Sequence, residues 1–106
     1  MIERLQLLKL KAEHATPEGR AGVVERALAV LPGVPGVLGV TAGVPADADA
    51  GKSWDVFISL RFATLADVDP WCTHSEHRRF VDDFLAPRVE VKKGWNFDTR
   101  DAAPRP

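Results

Sequence analysis

The alternation of hydrophobic and polar positions is clearest in the middle of the chain, where it predicts a strand over residues 53–62. One face of that strand is apolar, with Trp54, Val56, Ile58, Leu60 and Phe62, and the other carries Asp55, Phe57, Ser59 and Arg61. Residues 2–11 also predict a strand, because they are mostly apolar and contain neither Gly nor Pro. Its two faces both mix polar residues with leucines: Leu5, Leu7 and Lys9 on one, and Arg4, Gln6, Leu8 and Leu10 on the other.

A helical spacing of apolar residues follows the first strand. Thr16 predicts an N-cap, with Pro17 at the first helical position, and Pro32 and Gly33 end the helix. Apolar residues recur every three or four positions and predict one buried stripe, formed by Val23, Val24, Ala27, Leu28 and Leu31.

The segment after the first helix predicts a second strand and a loop. Residues 37–44 are apolar but are interrupted by Gly39 and Gly43, which weakens the strand. Residues 45–52 are rich in Ala, Asp and Gly without periodicity, so we expect a mobile loop. This short connection favours an antiparallel hairpin between the second and third strands.

The last third of the chain predicts two short helices and a strand. Thr64 is expected to cap a helix from Leu65 to about Cys72, with a kink at Pro70. Ser75 is expected to cap a second helix, which runs through Leu85. A final strand covers about residues 91–98, and residues 101–106 predict a flexible C-terminal tail after a domain of residues 1–100.

The element order β-α-β-β-α-β predicts an α+β domain of the ferredoxin-like type. Such a sheet buries one face under its two helices and leaves the other face without cover. Because Leu5, Leu7 and Phe57 fall on that second face, we expect a partner subunit to cover it. The sequence therefore predicts a homodimer through the open face of the sheet.

Composition narrows the functional classes. A chain of 106 residues with 45% hydrophobic content is long enough for one domain with a core. The formal net charge of −1 and the isolated pair Lys92-Lys93 give no basic surface for nucleic acid, so a solvated strand edge is the preferred interpretation of that pair. The chain has a single cysteine, no signal pattern and no apolar run near the ~20 residues of a membrane span. We therefore expect a cytoplasmic protein without membrane contact.

Reactive side chains are densest between Trp71 and His77. A zinc site could use Cys72, His74 and His77, but their spacing fits no standard zinc motif and no fourth ligand is near in sequence. Nucleophilic catalysis by Cys72 would require a lowered thiol pKa, whereas a lone cysteine is more often a small buried hydrophobe. General acid–base chemistry by a histidine is the better hypothesis, because an imidazole exchanges protons near neutral pH.

His77 is the histidine best placed for a base. With Ser75 as the cap, it lies in the first turn of the helix, where the helix dipole disfavours the imidazolium. A capping or surface role for His74 and His77 remains the structural alternative.

The same region carries a family resemblance. The run His74-Ser75-Glu76-His77, followed by Phe80 and by Phe84-Leu85-Ala86-Pro87, resembles the histidine motif of the stress-responsive A/B barrel (Dabb) family. Further similarity lies in residues 7–11, in the turn of residues 31–37 and in Phe97-Asp98, so that the resemblance spans about residues 1–98.

This resemblance implies a dimeric α+β barrel, in which two four-stranded sheets face each other and the helices lie outside. In polyketide cyclases of the family, the second motif histidine acts as the base, and it aligns with His77. An assisting tyrosine aligns with Trp71, which offers only an N–H donor. The resemblance also implies a ligand cavity lined by Arg4, Gln6, Leu8, Val24, Ala27, Ile58, His74, Phe80 and Val81.

The sequence thus favours a polyketide cyclase-like enzyme that binds a hydrophobic or aromatic poly-keto metabolite and uses neither a cofactor nor a metal. His77 is the expected base, and Trp71, Gln6 and Arg4 are expected to orient the substrate or stabilise oxygen charge. The alternative is a non-catalytic small-molecule-binding or stress-response protein of the same fold.

Overall fold

The fold is a four-stranded antiparallel sheet with helices on one face, as described by a computed structural model for residues 1–102. The strand order is β2-β3-β1-β4, which is the ferredoxin-like order that the sequence predicted. Its strands are β1 (Ile2–Leu10), β2 (Gly39–Gly43), β3 (Val56–Phe62) and β4 (Val89–Asp98), and its helices are α1 (Pro17–Val30), α2 (Ala48–Ser53), α3 (Val68–Thr73) and α4 (Ser75–Arg79). Most of the predicted C-terminal tail, residues 103–106, lies outside the described residues.

The register of the sheet separates its two faces. β1 lies between β3 and β4, and Leu8 pairs with Val56 on one side and Lys92 on the other. Because side chains alternate along each strand, the even-numbered residues of β1 and β3 point towards the helices. They supply most of the sheet's part of the core: Leu8, Leu10, Val56, Ile58, Leu60 and Phe62 are all buried.

Helix α1 begins where the sequence predicted it. The Thr16 hydroxyl accepts a hydrogen bond from the backbone N–H of Gly19 at 3.0 Å and caps the helix. The buried stripe is narrower than predicted, since Val23, Ala27 and Leu31 are buried but Val24 is half-buried and Leu28 is 43% exposed. Residues four positions apart along the helix therefore make the contact with the sheet.

The predicted mobile loop contains a short helix, so that prediction was wrong. Asp47 caps α2 by accepting a hydrogen bond from the backbone N–H of Ala50 at 2.9 Å. Because no residue of α2 is buried, the helix leaves no apolar periodicity in the sequence. The acidic cap followed by alanines was the available signal.

The second helical region is divided at a different residue from the one predicted. Thr64 and Asp67 form a capping box, and Pro70 lies in the first turn of α3, where its missing N–H costs no hydrogen bond. The break comes at His74, whose Nδ1 accepts from the backbone N–H of Glu76 at 3.1 Å. His74 is therefore the cap of α4, and the assignment of Ser75 was wrong.

Beyond α4 the chain continues as a π-helical turn, Phe80–Leu85. The Ala86 N–H donates to the carbonyl of Val81 at 2.8 Å, which is the five-residue spacing of such a turn. None of the helices within residues 1–102 is both long and apolar enough to cross a membrane.

A buried ion pair joins α1 to the sheet. The Asp55 carboxylate accepts from Arg20 Nε at 2.9 Å and Nη2 at 2.7 Å, and its other oxygen accepts from the Leu10 N–H at 2.7 Å. The sequence placed Asp55 with Phe57 on the second face of the strand. It lies instead just before β3, in a buried position that these three donors compensate.

The open face of the sheet is apolar around its centre. Leu5 is paired with Trp95, Leu7 with Phe57, and Glu3 with Phe97. Trp95 is 47% exposed and Phe97 is 49% exposed, although both are large hydrophobic residues. In the single chain, α1 and α3 pack on the other side of the sheet, and Ala50 of α2 lines a pocket with Leu7 and Phe57 at the edge of this face.

Candidate functional site

His77 lies under the break between α3 and α4, with only 6% of its surface exposed. Its Nδ1 is 3.0 Å from the carbonyl oxygen of Cys72. A carbonyl oxygen can only accept, so this contact assigns the proton to Nδ1 and leaves the lone pair on Nε2. Nε2 forms no hydrogen bond with the residues that the structure describes.

Trp71 packs directly against His77. The two ring centroids are 4.0 Å apart with an interplanar angle of 39°, and Phe62 also contacts the indole, edge-to-face at 5.5 Å. Trp71 is 1% exposed, and its Nε1–H is enclosed without an acceptor among residues 1–102. The structure therefore brings together the two residues predicted to be catalytic.

Arg4 reaches the same place from the helix-facing side of β1. Its guanidinium carbon lies 5.9 Å from the centroid of Trp71, and its Nη1 donates to Asn96 Oδ1 at 3.0 Å. A Cβ at Gly94 would come within 3.0 Å of Nη2, so the glycine leaves room for the guanidinium. The Nε of Arg4 is enclosed and has no acceptor within the described part of the chain.

The surroundings of His77 are positively charged. Burial lowers its pKa below the ordinary value of 6.5, the hydrogen bond to Cys72 opposes that change, and the charges of Lys92, Arg78 and Arg4 lower the pKa further. The pKa of Lys92 is also lowered, first by partial desolvation of its ammonium and then by Arg4 and Arg78. His77 is accordingly neutral at pH 7, with a cationic group on more than one side.

The remaining residues predicted to line a cavity lie in or next to the core. Gln6 is buried on the helix-facing side of β1, and Val24 and Val81 are half-buried at the edge of the core. Leu8, Ala27 and Ile58 are fully enclosed and Phe80 is 5% exposed. A ligand-lining role for these residues stays a prediction.

The largest groove described lies elsewhere, on the outer side of the helices. It has a volume of about 670 Å³ and separates α1 from the chain between Glu76 and Arg88. Of the predicted ligand-lining residues, Phe80 alone lines it.

The metal and thiol alternatives receive no geometric support within the described residues. Residues 1–102 contain no cluster of three His, Cys, Asp or Glu side chains placed to share an ion. His74 uses Nδ1 as a helix cap, and Cys72 contributes its carbonyl to the site while its side chain is only half-buried.

Sequence reasoning missed the contribution of β4. Lys92 was interpreted as part of a solvated edge, whereas the register places Lys92, Gly94 and Asn96 on the helix-facing side beside Arg4. The alternation of Gly94 and Asn96 with Trp95 and Phe97 was the signal that could have separated Lys92 from Lys93.

Comparison with known proteins agrees with this architecture. Residues 2–93 match the model of the family described as Stress responsive A/B Barrel Domain, or Dabb. The chain belongs to the Dabb family. No curated protein matches this Dabb chain.

Solved structures resemble the Dabb chain over nearly its whole length. A Dabb family protein with a ferredoxin-like fold from Mesorhizobium loti is 20% identical with a TM-score of 0.76, covering 94% of this chain and 97% of that one. A dimeric ferredoxin-like protein of unknown function from Thermobifida fusca is 20% identical with a TM-score of 0.74, at 92% and 90% coverage. Hydroxynitrile lyase from Passiflora edulis is 12% identical with a TM-score of 0.74, at 97% and 96% coverage. At these identities the likeness concerns the fold.

Proposed function

We propose that this Dabb chain is a cofactor-independent enzyme of the polyketide cyclase type, with His77 as its general base. The observation that carries the proposal is the hydrogen bond between His77 Nδ1 and the Cys72 carbonyl. It fixes the tautomer that presents a basic Nε2, and the lowered pKa keeps this nitrogen unprotonated at neutral pH.

The proposed reaction is an intramolecular aldol condensation. Nε2 of His77 removes a proton from a carbon next to a carbonyl group, and the electron pair of that C–H bond moves onto the carbonyl oxygen as an enolate. The enolate carbon then attacks a second carbonyl of the same substrate, which forms the C–C bond. The resulting alkoxide takes the proton back from the imidazolium, so the step balances without an oxidant or reductant.

Charge around His77 suits the enolate. The positive charges of Arg4 and Lys92 and the N–H of Trp71 favour negative charge on the bound substrate, while Gln6 offers an amide for orientation. Trp71 supports the reaction only as a donor, because an indole does not exchange its proton as a phenol does.

The proposed working unit is a homodimer formed through the open face of the sheet. The exposed aromatic residues Phe57, Trp95 and Phe97 surround Leu5 and Leu7 and form an apolar surface suited to a second copy. The structural neighbour from Thermobifida fusca is described as dimeric, which supports this assembly.

The second candidate is a protein that binds a hydrophobic or aromatic molecule without converting it. One observation favours it: the chain contains no tyrosine, so no phenol assists the base at the position of Trp71.

The test separates the two candidates through proton exchange. In D₂O, the wild-type protein should accelerate deuterium incorporation next to the carbonyl of benzylacetone, followed by proton NMR. His77→Gln should lower that rate by about 100-fold or more, the usual contribution of a positioned base. His14→Gln is the matched control, because His14 lies in the turn of residues 12–14, away from the site.

Equal rates for the wild type and His77→Gln would remove His77 from the role of base. If benzylacetone then still raised the melting temperature of both proteins, the binding protein would be the better description.

A further inference from the structure

Two buried hydrogen-bond donors of the site have no acceptor. They are Nε1 of Trp71 and Nε of Arg4, and they are the only enclosed side-chain N or O atoms in residues 1–102 without a hydrogen-bond partner. Buried donors in folded proteins are nearly always satisfied, so a pair of exceptions in one place indicates an acceptor that arrives from outside.

The two donors belong to one built arrangement. The guanidinium of Arg4 lies 5.9 Å from the Trp71 ring centroid, and the hydrogen bond to Asn96 fixes its orientation. Gly94 leaves the space that the guanidinium occupies. Trp71 is held in turn between His77 and Phe62.

No direct ion pair among the described residues neutralises the charge beside these donors, and Asp82 acts on Lys92 only from beyond 4.0 Å. The hydrogen-bond partner of Arg4 is the neutral amide of Asn96, and Lys92 has no carboxylate within 4.0 Å among the described residues. Arg78, by contrast, pairs with Asp82 at 2.7 Å. Arg4 and Lys92 therefore form a cationic pair that an incoming anion would satisfy.

We propose that the ligand of this site is a small organic acid, whose carboxylate accepts from Arg4 Nε and Trp71 Nε1 and lies beside the Lys92 ammonium. This inference rests on the proposed function and adds the class of substrate to it. A carboxylate has two oxygens and so can accept from both donors, which a neutral ketone beside two cations does less well.

The approach to the donors is from β4, the edge strand. Arg4 is half-buried and Lys92 is exposed, whereas Trp71 is enclosed. The carboxylate can enter only if the Arg4 side chain turns away from Asn96, and the guanidinium then pairs with the carboxylate.

The experiment follows the indole N–H signals of the three tryptophans in ¹⁵N-edited NMR. Trp71→Phe identifies the signal of Trp71. Benzoate should shift that signal and bind at least about ten times more tightly than benzamide, which has the same shape without the charge. Equal affinities, or an unmoved Trp71 signal, would overturn the proposal; a larger response to inorganic phosphate would replace carboxylate with phosphate as the ligand group.

Substitutions locate the binding groups. Arg4→Met and Lys92→Met should each weaken benzoate binding, Arg4→Met by about tenfold or more. Lys93→Met is the matched control, since its side chain points to the opposite face of β4 and should leave the affinity unchanged. Lys92 is exposed, so we expect Lys92→Met to fold even if Arg4→Met does not. An unchanged affinity of Lys92→Met for benzoate would contradict the proposal.

Benzoate binding tests the organic acid, and proton exchange tests the catalytic role of His77. Benzoate binding by the wild type, together with an exchange rate that His77→Gln does not lower, would overturn only the proposed catalysis. Retained exchange activity without benzoate binding would overturn only the proposal that the ligand is an organic acid.

Discussion

His77 combines burial with a fixed tautomer, and both follow from its place after the break at His74. The ring is enclosed by Trp71 and bonded to the Cys72 carbonyl, so protonation would put a charge where little water reaches. The same surroundings that prepare a base therefore also make the folded state sensitive to acid.

The free energy of unfolding should consequently fall at mildly acidic pH. In the unfolded chain His77 has a pKa near 6.5, and in the folded chain its pKa is lower, so protons bind preferentially to the unfolded state. Stability is full above pH 6.5 and decreases as the pH falls from there through the folded pKa. Urea unfolding at pH 7.5, 6.5 and 5.5 measures it, and His77→Gln should show a smaller decrease than wild type or His14→Gln.

An identical pH dependence in His77→Gln and the wild type would show that another group is responsible.

Asp55 is a buried carboxylate that joins α1 to the sheet through Arg20. Asp55→Asn removes the carboxylate from Arg20 and weakens the bond from the Leu10 N–H, which leaves a partly buried cation without its partner. We expect a loss of about 3 kcal/mol in the free energy of unfolding. Asp49→Asn is the control, because the pair with Lys52 is exposed at 3.9 Å, and it should change stability by less than about 0.5 kcal/mol. Chemical denaturation measures the free energy of unfolding of both variants. Equal losses in Asp55→Asn and Asp49→Asn would contradict the larger contribution expected of the Asp55 ion pair.

At the scale of elements, α1 contains two glycines with opposite constraints. A Cβ at Gly19 would overlap the carbonyl oxygen of His14, whereas a Cβ at Gly22 has no neighbour within 4 Å. The first glycine lets the turn of residues 12–14 pack against the start of the helix. The second has no such function.

Alanine substitutions should separate the two. Gly19→Ala should destabilise the protein by about 1–3 kcal/mol, because the backbone of His14 must move. Gly22→Ala should stabilise it by about 0.5–1 kcal/mol through helix propensity. Thermal and urea unfolding of both variants checks the signs; a stabilised Gly19→Ala protein would contradict the packing described for His14.

The elements also show where sequence patterns are reliable. Helix α1 was predicted with its observed start, because a Thr-Pro start acts locally. The alternation predicted strand β3, although the strand begins at Val56 rather than at residue 53. Helix α2 was missed since it buries nothing, and Ser75 was chosen as a cap because serine is a common cap. His74 is the cap instead, because its Nδ1 accepts the hydrogen bond from the Glu76 N–H.

At the scale of the whole molecule, the open sheet face should decide the assembly. Leu5→Asp and Phe57→Asp each place a charge on the proposed interface and should convert the dimer to a monomer at micromolar concentration, measured by light scattering. Leu28→Asp, at an exposed position of α1, should leave the dimer intact. A wild-type protein that is monomeric under these conditions would disprove the interface.

The sequence by itself determined the β-α-β-β-α-β order and the ferredoxin-like class, because these follow from local periodicity, and its family resemblance pointed to Trp71 and His77. Only the tertiary structure placed Lys92 and Asn96 beside Arg4 and those two residues. Arg4 comes from β1 and Lys92 and Asn96 come from β4, about 90 positions apart in the chain, and the register of two neighbouring strands brings them together. The burial that gives His77 a free and basic Nε2 is likewise a property of packing, since the pKa depends on what surrounds the ring rather than on its neighbours in sequence.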